Sequence, residues 1–115
     1  MTVTIYHNPR CSKSRQALEL LRQKGVEPRI VEYLKTPPDK AELRRILDRL
    51  KLAPRDLMRR NEVAYRENGL DDPALSDDRL IAAMVEHPIL IERPVVVAGG
   101  KAILGRPPER VLEIL

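Results

Sequence analysis

The run Val3-Thr4-Ile5-Tyr6-His7-Asn8-Pro9-Arg10-Cys11-Ser12-Lys13-Ser14-Arg15 joins two kinds of periodicity within thirteen residues. Val3 to Tyr6 is β-prone, and His7-Asn8-Pro9-Arg10 breaks it, because proline has no backbone donor for a sheet. From about Ser12 to Lys24 the apolar positions Ala17, Leu18 and Leu21 recur with helical spacing, and Gly25 is a natural stop. Ile30, Val31 and Tyr33 then form a second strand. A strand, a helix and a strand in this order predict a right-handed crossover between parallel neighbours.

Working outward, Thr36-Pro37 reads as the N-cap and first position of a helix whose stripe is Leu43, Ile46, Leu47 and Leu50. Pro54 opens another helical segment through Leu57, Met58, Arg59 and Arg60. Asn68-Gly69 and Asp71-Asp72-Pro73 mark a loop. Ser76 caps a helix with Asp77 and Asp78 in its first turn and Leu80, Ile81, Met84 and Val85 facing inward; His87-Pro88 ends it. Val95-Val96-Val97, Gly99-Gly100 and Ala102-Ile103-Leu104 read as a hairpin, followed by a terminal helix from about Pro108 carrying Val111, Leu112 and Leu115. The expected fold is α/β: a thioredoxin-like mixed four-stranded sheet flanked by helices. Its single domain spans 1–115, with a helical insertion at approximately 38–88.

At 115 residues the chain suits one domain with one core. No window approaches eighteen uninterrupted apolar residues, and Val3 to Tyr6 is too brief for a signal-peptide core, so no membrane association and a cytoplasmic location are expected. One cysteine excludes an intramolecular disulfide, and with only His7 and His87 beside it no metal cluster is expected. Three tyrosines, with no Trp or Phe, leave no platform for stacking bases. Up to Lys35 there are seven Lys or Arg against three acids, whereas the remaining eighty residues hold fourteen of each. The basic excess therefore sits around the cysteine, which favours a local anion or thiolate role over nucleic-acid binding.

Cys11 falls between the first strand and first helix, where unpaired backbone N–H groups and the helix dipole stabilise a thiolate. Arg10, Lys13 and Arg15 add cations within four residues, and Ser12 and Ser14 add hydroxyls, so a thiol pKa below the free value is expected. A buried cysteine acting as a small hydrophobe is the plain alternative. His7 could engage the thiol region or polarise Asn8, or simply make a backbone contact at the strand end. His87 reads as a helix-terminal cation. Arg93 and Arg106 each precede a proline, in stiff backbone that suits a positioned guanidinium; Arg59 on its own reads as a surface arginine.

The stretch Ile5 to Arg15 resembles the H-N-P-x-C-x-x-S-R signature of the glutaredoxin-linked bacterial arsenate reductases. The likeness continues through Tyr33-Leu34-Lys35-Thr36-Pro37-Pro38, Leu57-Met58-Arg59-Arg60-Asn61, His87 to Val97, and Gly105-Arg106-Pro107. The family's best-known members have Gly-Thr where this chain has Ser12-Lys13, and they continue past the position of Leu115, so the resemblance is to the short subgroup. It implies reduction of arsenate to arsenite with Cys11 as nucleophile and His7 and Ser14 supporting its thiolate. It also implies an oxyanion held by Arg59, Arg93 and Arg106, with Asn8, Arg15 and Pro94 in support. Pro94 matches the cis proline that stands opposite the cysteine in thioredoxin-like folds. No bound cofactor is expected; glutathione is the co-substrate and glutaredoxin the protein partner of a monomer. The alternatives are a glutathione-dependent thiol-transfer enzyme acting on another substrate, and a non-enzymatic regulator of the same fold that binds RNA polymerase. The regulator's C-x-x-C pair is broken here, since Ser14 occupies the second position.

Overall fold

A computed structural model describes residues 2–115. The chain forms two compact units. The first comprises the chain up to Thr36 together with Arg93–Leu115, and the second is Pro37–Glu92.

In the first unit, β1 (Val3–His7) leads through residues 8–11 into α1 (Ser12–Gln23), and β2 (Arg29–Glu32) follows. After the intervening residues come β3 (Val95–Ala98), β4 (Lys101–Leu104) and a 3₁₀ segment, Pro108–Ile114. The strands lie in the order β2-β1-β3-β4, with β1 parallel to β2 and antiparallel to β3, which is antiparallel to β4. This is the mixed four-stranded sheet expected from the sequence.

Side chains alternate across a strand, so Val3, Ile5 and His7 share one face of β1. Val3 and Ile5 are buried there with Ala17, Leu18 and Leu21 of α1, Val96 and Ala98 of β3, Ile103 of β4 and Val111. The buried positions of α1 are Ser14, Ala17, Leu18 and Leu21, a single stripe in which one residue is polar. The same face of β1 therefore points His7 at Ser14. Helix α1 closes in a Schellman arrangement: Gly25, at φ 78°, donates to the Arg22 carbonyl at 2.9 Å, and Val26 donates to that of Leu21 at 3.0 Å. Tyr33, expected within the second strand, lies one residue past β2, because the chain turns where Lys35 and Thr36 both donate to the Glu32 carbonyl.

The second unit holds α2 (Lys40–Leu50), a 3₁₀ turn at Pro54–Leu57, α3 (Val63–Glu67), α4 (Asp77–Glu86) and another 3₁₀ turn at Pro88–Leu90. The expected Thr36 cap is wrong. Pro38 disfavours helical backbone at Pro37, so the helix waits until Asp39, whose carboxylate accepts the Glu42 N–H at 2.8 Å. Ser76 caps α4 as expected, accepting from Arg79 N–H. Helix α3, in a stretch given no element from the sequence, has only five residues and buries only Tyr65. Arg55 ties its surroundings together, donating to the Tyr65 hydroxyl and to the carbonyls of Leu70 and Asp72. Met58 and Ile91 form an antiparallel bridge, flanked by Arg59 N–H to the Leu90 carbonyl at 2.7 Å and Glu92 N–H to that of Leu57 at 2.8 Å.

Candidate active site

Cys11 is the N-cap of α1, with extended backbone at φ −91° and ψ 123°. Its carbonyl accepts the Arg15 N–H at 3.0 Å, and its own N–H donates to the Asn8 carbonyl at 3.0 Å. The turn is held from inside by Asn8, whose Oδ1 accepts the Arg10 N–H at 3.0 Å. It is held from outside by the Arg15 guanidinium, which donates to the Pro9 carbonyl at 2.9 Å. Asn8 and Arg15 thus shape the loop around the thiol.

Burial pushes the Cys11 thiol up, but the backbone N–H groups of Ser14 and Lys13 and the Arg93 side chain outweigh it, leaving the pKa below its usual 9.0. The backbone N–H donors are those expected at the helix start, whereas the cation is not one of the sequence neighbours Arg10, Lys13 and Arg15. Lys13 acts through its backbone rather than its ammonium, and the guanidinium that matters arrives from the far end of the chain. Arg93 also has a buried Nε with no hydrogen-bond acceptor among the described residues. Its carbonyl accepts from Arg106 Nη1 at 3.2 Å, which couples two of the expected anion-binding arginines through backbone.

Both Arg93-Pro94 and Arg106-Pro107 are cis peptides; the sequence reading anticipates the first and misses the second. Gly105 lies where these segments meet, donating to the Pro94 carbonyl at 2.9 Å. A methyl group added there would come within 2.8 Å of Pro94 Cγ and 2.9 Å of Val111 Cγ1, so only glycine fits.

His7 does not bond the thiol. Its Nδ1 lies 2.6 Å from Ser14 Oγ, and that same oxygen accepts the Asn8 N–H at 3.1 Å. His7, Asn8 and Ser14 are all buried, and the pKa of His7 is lowered from 6.5, foremost by burial and also by Arg22 and Arg15, against the raising effect of Glu32. Ser14 therefore supports Cys11 through its backbone N–H, while its hydroxyl fastens the loop.

Arg59 lies in the second unit between two acids that the sequence reading passes over. Its Nε is 3.0 Å from Glu62 Oε1 and its Nη1 2.9 Å from Glu92 Oε1, with all three side chains roughly a quarter exposed. The i, i+3 spacing could have suggested Glu62. Glu92 is brought in by the Met58–Ile91 bridge and has no local signal. His87 follows α4 directly and donates its N–H to the Ala83 carbonyl at 2.8 Å. Among the described residues no group of three or more His, Cys, Asp and Glu could hold a metal ion, and no helix is long and apolar enough to cross a membrane.

Sheet order, crossover and a thiol at the first turn of α1 define a thioredoxin-like thiol protein. The chain belongs to the ArsC family, whose sequence model matches residues 6–114. It is 58% identical to the uncharacterized protein YfgD of Escherichia coli, over 98% of this chain and 96% of that one. It is 50% identical to an arsenate reductase of Neisseria meningitidis, over 98% and 97% of the two chains. The solved arsenate reductase of Vibrio cholerae superposes with a TM-score of 0.98 at 55% identity, covering 100% of this chain and 98% of that one.

Proposed function

We propose that the protein reduces arsenate to arsenite at Cys11, using glutathione and glutaredoxin in the cytoplasm. The observation that carries this reading is the thiol of lowered pKa facing two N–H groups and Arg93. A tetrahedral oxyanion is complementary to those donors, and Arg93 and Arg106 supply charge-assisted hydrogen bonds. The Cys11 thiolate attacks arsenic and an arsenate oxygen leaves as water once protonated. A glutathione thiolate then forms a disulfide with the Cys11 sulfur, and the electron pair of the broken S–As bond reduces As(V) to As(III). Since Cys11 is the chain's only cysteine, the second sulfur comes from outside. Glutaredoxin attacks the glutathione sulfur of the mixed disulfide and releases the Cys11 thiolate.

Arsenite formation by the purified protein, with components omitted singly, tests the cycle. Turnover is expected only when arsenate, glutathione and glutaredoxin are all present, and Cys11→Ser should abolish it. Steady turnover with thioredoxin alone would overturn the scheme. Arg93→Ala or Arg106→Ala should weaken protection of Cys11 by arsenate about ten- to hundredfold, with lysine restoring only part.

One observation favours the second reading, glutathione-dependent thiol transfer on a substrate other than arsenate. Arg59, which the resemblance assigns to the oxyanion, already carries two carboxylates. Glutathione-dependent reduction of a small mixed disulfide, without arsenite formation, would select that reading.

A further inference from the structure

The cross-strand partner of His7 has no part in the chemistry above. In the parallel pairing of β1 with β2, His7 stands opposite Glu32, so both side chains lie on the same face of the sheet. Both line a cleft of about 220 Å³ with Asn8, Pro9, Arg10, Leu34 and Lys35. His7 uses Nδ1 on Ser14 Oγ at 2.6 Å. The direction of that bond depends on which ring nitrogen carries the proton.

We propose that Glu32 is a positioning residue for Cys11: its carboxylate holds the His7 proton on Nε2, so that Nδ1 accepts the Ser14 hydroxyl and the loop from Asn8 to Cys11 is fastened in one arrangement. The inference rests on Cys11 being the reactive thiol, and not on the identity of the substrate.

The Ser14 hydroxyl has one proton and two lone pairs. Asn8 N–H, at 3.1 Å, takes a lone pair, and a bare Nδ1 gives the proton a buried acceptor. A protonated Nδ1 would put a second donor on the same oxygen and leave the hydroxyl proton to find another partner, loosening the Asn8 anchor. Asn8 in turn accepts the Cys11 N–H through its carbonyl. The chain Glu32, His7, Ser14, Asn8 thus ends at the backbone that aims the thiol. A carboxylate fixing an imidazole tautomer from behind is a recurrent device at metal-bound histidines, and the same electrostatics apply here.

The charges acting on the ring are Glu32 from β2, which favours a proton, and Arg22 and Arg15 from α1, which oppose it. Glu32 is itself balanced by Lys35, 3.7 Å away on the exposed side. The carboxylate is therefore partly exposed to water, while the ring it acts on is buried.

Long-range ¹H–¹⁵N spectra of the two imidazoles, with His87 as internal reference, test this in wild type and Glu32→Gln. The wild type should show His7 protonated at Nε2 with bare Nδ1, and Glu32→Gln should move it toward the Nδ1–H form. In the same variant Cys11 alkylation should reach its midpoint at higher pH and run roughly threefold slower at pH 7. Glu32→Asp should recover part of both effects. A His7 pattern identical in wild type and Glu32→Gln would overturn the proposal. So would a changed tautomer accompanied by a Cys11 midpoint that stays put or falls. Neither readout needs arsenate, so a failure of the arsenate reading alone leaves this one decided on its own data.

Discussion

Cys11 shows how little of a thiol's environment is set by its neighbours in sequence. The local cations Arg10, Lys13 and Arg15 suggest an electropositive loop, yet Arg15 serves the Pro9 carbonyl, and the side chain that lowers the thiol pKa is Arg93. Alkylation rate against pH should therefore have its midpoint below that of free cysteine, and Arg93→Ala should raise it more than Arg10→Ala. The reverse order would show that local charge dominates. Arg59 carries a different expectation. Removing it deletes the ion pairs that Arg59 makes with Glu62 and Glu92, all three side chains being mostly buried. Arg59→Ala should lower unfolding stability by about 1–3 kcal/mol, read by urea titration, with Arg59→Lys recovering part. Loss of arsenate protection without loss of stability would instead make Arg59 an anion ligand first.

At the scale of elements, the sequence is most legible where one rule operates without competition. β1, α1 and the Gly99-Gly100 hairpin form as their periodicities and turn residues require, with Gly99 at φ 61°. Ser14 on the buried stripe of α1 is a readable anomaly, because a hydroxyl among Ala17, Leu18 and Leu21 needs a buried partner, which His7 provides. The start of α2 misleads because two proline rules conflict: Pro37 suits a first helical position, but Pro38 forbids it the helical backbone. The roles of Arg93, Glu92 and Gly105 are not legible locally, since each depends on segments that meet only through the fold. Gly105 is the sharpest case. Gly105→Ala must displace Pro94 or Val111, both buried, and should cost about 1–3 kcal/mol while slowing Cys11 alkylation through the shifted Arg93 segment. Wild-type stability in that variant would show that the two segments yield freely.

For the whole molecule, the titrating groups of the site link stability to pH. His7 has a folded pKa below 6.5, so below that value the unfolded chain binds the extra proton and stability falls as pH drops. Cys11 has a folded pKa below 9.0, so its contribution is complete above 9.0 and is lost as pH falls through the folded value. Both slopes have the same sign. Urea unfolding should show stability rising with pH in each window, with Cys11→Ser flattening the upper slope and His7→Gln the lower. A slope that survives both substitutions would place the linkage elsewhere.

The sheet's centre has a consequence for how the protein is made. β1 is bordered by β2, complete at Glu32, and by β3, which begins only at Val95. A ribosome must therefore deliver more than sixty further residues before the second border of the central strand exists. Until then the guanidinium of Arg93, which helps to lower the Cys11 pKa, has not been synthesised. Any fragment that ends before that residue therefore holds Cys11 without one of the groups that favour its thiolate.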